Sequence, residues 1–132
     1  LAGTADFSLQ LDAQFQNSWR DSLLGKGWEE LRHDEEQSGK AWHTVLKARS
    51  ENPQLRSPEL AELVSDMLGK EISAGNARVL VHRARERFAE ILIALVTDSL
   101  ASTDEETLEH ELIDLNLFQY CKPLLRPNDG DD

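Results

Sequence analysis

Apolar residues recur every three or four positions through most of the chain and never alternate over the length of a strand, so the pattern predicts an all-α protein. From Asp12 to about Glu36, the residues Phe15, Trp19, Leu23/Leu24, Trp28 and Leu31 keep helical spacing. Gly25 and Gly27 weaken that helix and favour a kink within it. Residues 1–11 have no clear period and read as a partly ordered lead-in. Ser38-Gly39 is a break, after which Trp42, Val45, Leu46 and Arg49 mark a second amphipathic helix that Asn52-Pro53 ends. Ser57-Pro58-Glu59 opens a third, with proline at the first position and an acid in the first turn. Its buried side is Leu60, Leu63, Val64, Met67 and Leu68, and Gly69 is placed to stop it in the left-handed conformation.

The next helix is the longest amphipathic run. Ser73 caps it, Asn76 stands at its third position, and it extends to about Leu100. Ala77, Val81, Ala84, Phe88, Ile91/Leu92 and Leu95 form one buried face, while Arg78, His82 and Arg85 share another, flanked by Arg83 and Arg87. Ile91–Val96 is apolar nearly all round, which predicts burial in this fold or against a partner. Thr103-Asp104-Glu105-Glu106 starts a further helix with Leu108, Leu112, Ile113 and Leu115 on its apolar side. Pro123 and Pro127 are expected to terminate structure, and residues 128–132 to be disordered.

Charge sharpens this picture. The 132 residues carry a net charge of −11, which argues against a polyanionic partner unless the charge is unevenly distributed. It is: residues 98–132 hold ten acids against Lys122 and Arg126, whereas residues 73–97 hold Arg78, Arg83, Arg85 and Arg87 against Glu86 and Glu90. With a Debye length of about 8 Å, distant acids are partly screened and the local basic footprint decides. Any DNA binding by this chain is expected to be weak and strongly salt-sensitive.

Candidate chemistry is sparse. His33, His43, His82 and His110 lack metal-ligand spacing with one another or with the single cysteine, Cys121. Cys121 lies beside Leu124 and Leu125 and reads as a small buried hydrophobe; one cysteine allows no internal disulfide and fits a reducing cytoplasm. The runs Asp34-Glu35-Glu36 and Asp104-Glu105-Glu106 sit at helix ends and read as solvated faces rather than catalytic carboxylates. Trp19 and Trp28 read as core or docking surface. No glycine-rich phosphate loop, nucleophile elbow or metal motif occurs, so a non-enzymatic protein without a cofactor is expected. No apolar run is long enough to span a membrane, and no basic-then-apolar leader opens the chain.

Ile72-Ser73-Ala74-Gly75-Asn76-Ala77-Arg78 followed by Val81-His82-Arg83-Ala84-Arg85 resembles the recognition helix of a bacterial sigma factor of the extracytoplasmic-function type. That family commonly writes it Ile-Ser-x-Gly-x-Val-Lys-x-x-Leu-His-Arg-Ala-Arg. Thr44–Arg49 and Ser57–Leu63 resemble the two preceding helices, so the likeness covers roughly residues 40–92, the family's region four. The chain departs from the pattern by carrying Val64-Ser65-Asp66-Met67 before Leu68-Gly69 and Lys70-Glu71 before Ile72, a longer first helix and a looser turn. The resemblance implies a helix-turn-helix with a long recognition helix and flanking helices. It divides the chain into an N-terminal lead-in and packing helix (1–37), the region-four-like segment (38–100), and an acidic helix with its tail (101–132). The partners implied are the −35 promoter element, core RNA polymerase and an anti-sigma protein. No region-two sequence is present, so the chain by itself is not expected to initiate transcription.

In a helix-turn-helix the start of the second helix enters the major groove. Asn76, Arg78 and Val79 would then meet base edges, Arg78 most readily a guanine, while His82, Arg83 and Arg85 grip phosphates. Two other readings compete. The scaffold could serve protein contacts alone, or the acidic helix at Thr103–Leu115 could mask the arginines.

Overall fold

The computed structural model describes the backbone of residues 2–101 and 104–125, and side chains from Asn17 onward within that range. Within it the protein is all-α: α1 (Ala2–Ser38), α2 (Trp42–Glu51), α3 (Ser57–Leu68), α4 (Ala74–Ser99), α5 (Glu105–Asp114) and α6 (Phe118–Leu125), with no strand among the described residues. The acidic tail at 128–132, Pro127 and the cap expected at Thr103 lie outside the described residues.

Three expectations need correction. The lead-in is helical from Ala2, because residues 1–11 contain no proline and their single Gly3 costs only about 1 kcal/mol in a helix. Gly25 and Gly27 do not interrupt α1, which runs unbroken through both. A side chain at Gly25 would meet nothing within 4 Å, so that glycine answers no packing need. Pro123 does not end structure but lies inside α6. In so short a helix, a proline near the C-terminal end forfeits little more than one hydrogen bond, to the carbonyl four residues before it.

The molecule forms two compact units whose division falls within α1 and α4: one unit spans Trp28–Ile91, the other joins Leu1–Gly27 to Leu92–Asp132. In the second of these, the core includes Leu23, Leu92, Val96, Leu112, Leu115, Leu117 and Cys121, all buried. Burial pushes the Cys121 thiol up to about 11. The start of α5 has Asp104 at its cap and Glu105 and Glu106 in its first turn, where the helix dipole favours acids. Its end is closed by Asn116 at φ +60, with the Asn116 N–H donating to Ile113 C=O (2.9 Å) and the Leu117 N–H to Leu112 C=O (2.8 Å). This is a Schellman closure with asparagine in the place usual for glycine. The Trp19 indole N–H donates to Glu111 (3.2 Å) and the Arg20 Nε–H to Leu115 C=O (3.0 Å), tying α1 to the α5 end. Ile113, expected on the apolar side, is exposed instead. Leu112 and Leu115 already fill the inward stripe, and Ile113 points about 100° away from Leu112.

The Trp28–Ile91 unit holds the region of interest. Val45, Ala48, Leu60, Val64 and Val81 form its buried cluster, with Leu55, Leu63, Leu68, Ile72 and Leu80 packed against it, whereas Met67, expected on the buried side of α3, is exposed. Three of its turns are held by side chains. Glu35 accepts the Thr44 N–H (2.9 Å) and hydroxyl (2.7 Å), fixing the start of α2 across the turn at Gly39, whose φ is +75. The Arg49 Nη2 lies 2.7–2.9 Å from the carbonyl oxygens of Asn52, Pro53 and Leu55, wrapping the α2–α3 turn around one guanidinium. Glu59 accepts the Arg56 N–H (3.1 Å), so the cap of α3 is set one residue before Ser57 and Pro58 stands second in the helix rather than first.

Candidate nucleic-acid interface on α4

Five residues, Gly69–Ser73, join α3 to α4, and a single hydroxyl organises them. The Ser65 Oγ–H donates to Ala61 C=O (2.6 Å) and the same oxygen accepts the Ile72 N–H (2.9 Å). Gly69 ends α3 at φ +68, a conformation that L side chains rarely take, and the Lys70 N–H returns to Ser65 C=O (3.2 Å). Ser73 then caps α4: its Oγ accepts the Asn76 N–H (3.1 Å), as the sequence predicts. Ser65 is thus the residue that clasps the connection back onto α3.

α4 buries Ala77, Val81, Ala84, Phe88, Ile91 and Leu92 along one stripe. The run Ile91–Val96 is covered within the fold at Ile91, Leu92 and Val96, while Ala94 is exposed. All six residues proposed from sequence, Asn76, Arg78, Val79, His82, Arg83 and Arg85, are exposed on the first three turns of α4. Helical spacing sorts them into two stripes. Asn76, Val79 and Arg83 share one; Arg78, His82 and Arg85 share the other. The first stripe lines an open cleft of about 540 Å³ together with residues of the α1–α2 and α3–α4 connections. The stripes cut across the division into base-reading and phosphate-gripping residues, since each stripe combines residues of both kinds.

Directly opposite the buried stripe lie Gly75, Val79 and Glu86. Val79, half exposed at 49 %, is thus the apolar centre of the outward face. Glu86 ends the basic stretch on that face, and its carboxylate stands 3.5 Å from His82 Nε2 along the helix.

The ion pairs differ from those that surface spacing suggests. Arg83 pairs with neither Glu86 nor Glu90. It is Arg87 that pairs, with Asp34 (2.5 Å) and Glu90 (3.2 Å), and the Asp34 hydrogen bond raises its already high pKa further. Among the described residues no carboxylate pairs with Arg78, Arg83 or Lys70. The acidic run at residues 34–36, expected to be merely solvated, has three separate structural tasks: Asp34 on Arg87, Glu35 on Thr44 and Glu36 on Arg32 (2.5 Å). Spacing could have suggested the Arg32–Glu36 pair; the other two depend on tertiary packing.

Behind α4, Trp28 packs on Phe88 with ring centres 4.9 Å apart and planes tilted by 40°, and meets His43 edge-on at 5.7 Å. Burial lowers the His43 pKa from its ordinary 6.5, an effect that the nearby Glu35 partly opposes. Trp28 is therefore a packing residue, and His43 is its neighbour rather than a ligand. No group of three His, Cys, Asp or Glu side chains that could hold a metal ion occurs among the described residues, and no helix there is long and apolar enough to cross a membrane. No protein-family model, curated protein or solved structure matches this chain.

Proposed function

We propose that α3 and α4 act as the helix-turn-helix of a sigma-factor region-four domain, binding the −35 promoter element and core RNA polymerase in the cytoplasm without enzymatic activity. The observation that carries this reading is the outward face of α4. An apolar centre at Val79 and the small Gly75 would sit on the groove floor, with Arg78, His82, Arg83 and Arg85 displayed on both sides toward the two phosphate walls. Asn76 and Arg78, nearest the helix start, carry the side chains suited to adenine and guanine edges. Arg78 and Arg83 have no carboxylate partner among the described residues, so no internal ion pair has to break when a phosphate is met.

A selection of bound duplexes from a randomised pool at low salt, beside the Arg78/Arg83/Arg85→Ala triple variant, tests the proposal. A consensus that vanishes in the variant supports it. Equal enrichment of nothing in both would sink DNA recognition and favour the second reading, a sigma-like protein-interaction module that docks polymerase, an anti-sigma protein or another copy. The exposed apolar residues Met67 and Val79 on α3 and α4 favour that alternative, and immobilised core polymerase is its first test.

A further inference from the structure

The cleft that Asn76, Val79 and Arg83 share is more than a margin of the outward face. Its walls include Trp42, Ile72 and Leu80, and its cations are Lys40, Lys70 and Arg83, against the single carboxylate of Glu71. A net positive lining is notable in a chain of −11. Lys40 Nζ stands 5.0 Å from the centre of the Trp42 ring, so the aromatic wall and one cation belong to a single assembly. Lys70 and Arg83 have no carboxylate partner among the described residues. The volume of about 540 Å³ falls within the roughly 300–1,000 Å³ usual for small-molecule sites. A concave space of that size does not admit a duplex, and phosphate contact gives no use to Trp42, Ile72 and Leu80.

We propose that this cleft binds small amphipathic anions, aryl or alkyl carboxylates, with the apolar body against Trp42, Ile72 and Leu80 and the carboxylate on Lys70 and Arg83. Guanidinium and ammonium groups that share a cleft with apolar walls select charge and shape together: a neutral analogue leaves the cations unneutralised, and a bare inorganic anion leaves the apolar walls wet. The proposal goes beyond DNA recognition and does not depend on it.

The test is titration of the whole 132-residue chain with naphthylacetate and with decanoate, each beside its neutral amide, followed by amide proton–nitrogen correlation spectra. Expected are saturable shifts of the Trp42 indole N–H and of backbone amides at 70–83, with each amide analogue bound about tenfold more weakly or worse. The exposed pair Lys70→Gln/Arg83→Gln should keep the rest of the spectrum and weaken both carboxylates by about tenfold or more. Trp42→Leu, with unchanged circular dichroism, should weaken naphthylacetate more than decanoate. No saturable shift at about 5 mM of either carboxylate, equal binding of acids and amides, or shifts confined to residues outside the cleft would each overturn the proposal.

Discussion

The two units use charge in opposite ways. The unit formed by Leu1–Gly27 and Leu92–Asp132 holds thirteen acids against four bases, whereas Trp28–Ile91 holds twelve acids against ten bases. By count the second is still slightly acidic. By arrangement it is not: Glu29 and Glu36 are held on Arg32, Asp34 and Glu90 on Arg87, Glu35 on Thr44, and Glu59 on the backbone of α3. Lys70, Arg78 and Arg83 have no such partner among the described residues. Half of the twelve acids are thus held in ion pairs or hydrogen bonds, while cations are left on and beside the surface of α4. A net charge therefore says little about what one helix face can meet; which charges are already paired says more.

Each unit has its own core. Leu60→Ala in one and Leu112→Ala in the other remove side chains that are at most 2 % exposed, and each should cost about 2–5 kcal/mol in denaturant unfolding. Hydrogen exchange on both variants shows whether each loss stays within its own unit; protection lost equally throughout would make the chain one cooperative body. Next in size is the thiol of the acidic unit. With its pKa near 11 rather than 9.0, Cys121 should form about a hundredfold less thiolate at neutral pH and resist alkylation until the protein unfolds. Rapid modification of the native protein would mean that this core opens readily.

A smaller effect tests whether acids in the Trp28–Ile91 unit are structural. Glu35→Ala removes both hydrogen bonds to Thr44 and should lower stability by about 1 kcal/mol, whereas Glu62→Ala, an exposed acid on α3, should change it by less than about 0.5 kcal/mol. Equal costs would erase the distinction between the two kinds of carboxylate. If α4 meets DNA, Glu86→Gln should tighten duplex binding by only a few-fold, by lifting one negative charge from the outward face, and most at low salt.

The least expected change comes from His43. Its folded pKa lies below the ordinary 6.5, so the unfolded chain takes up the proton first as pH falls. The contribution of neutral His43 is complete above about pH 6.5 and is lost as pH drops from there toward the folded value. Wild type should thus lose slightly more stability than His43→Phe between pH 7 and pH 5.5, measured by thermal unfolding at both values.

Much of this architecture is legible in the spacing of apolar residues. The buried stripe Ala77, Val81, Ala84, Phe88 is local and periodic, and so are the stops at Gly39 and Gly69. The start of α1 and the persistence of α6 through Pro123 were not legible, because propensity marks weak points without saying whether the helix gives way there. Exposure of the six α4 residues and their sorting into two stripes follow from the same periodicity, but that one stripe lines a cleft becomes visible only in the fold. That cleft joins Lys40 and Trp42 to Lys70 and Arg83, residues distant in sequence, and no local pattern announces it. Asp34 meeting Arg87 is hidden from sequence for the same reason: the two are 53 positions apart.

The α2–α3 turn has an evolutionary consequence. Arg49 grips it through main-chain carbonyls alone, which every amino acid supplies. Exposed Gln54 is therefore free to drift among related sequences, and Pro53 can change wherever its backbone angles remain attainable. Position 49 has no such latitude, since one guanidinium nitrogen, Nη2, meets all three carbonyl oxygens and a side chain without a cationic donor of that reach leaves them unheld. Descendants of this chain should keep the arginine long after the turn it holds has become unrecognisable.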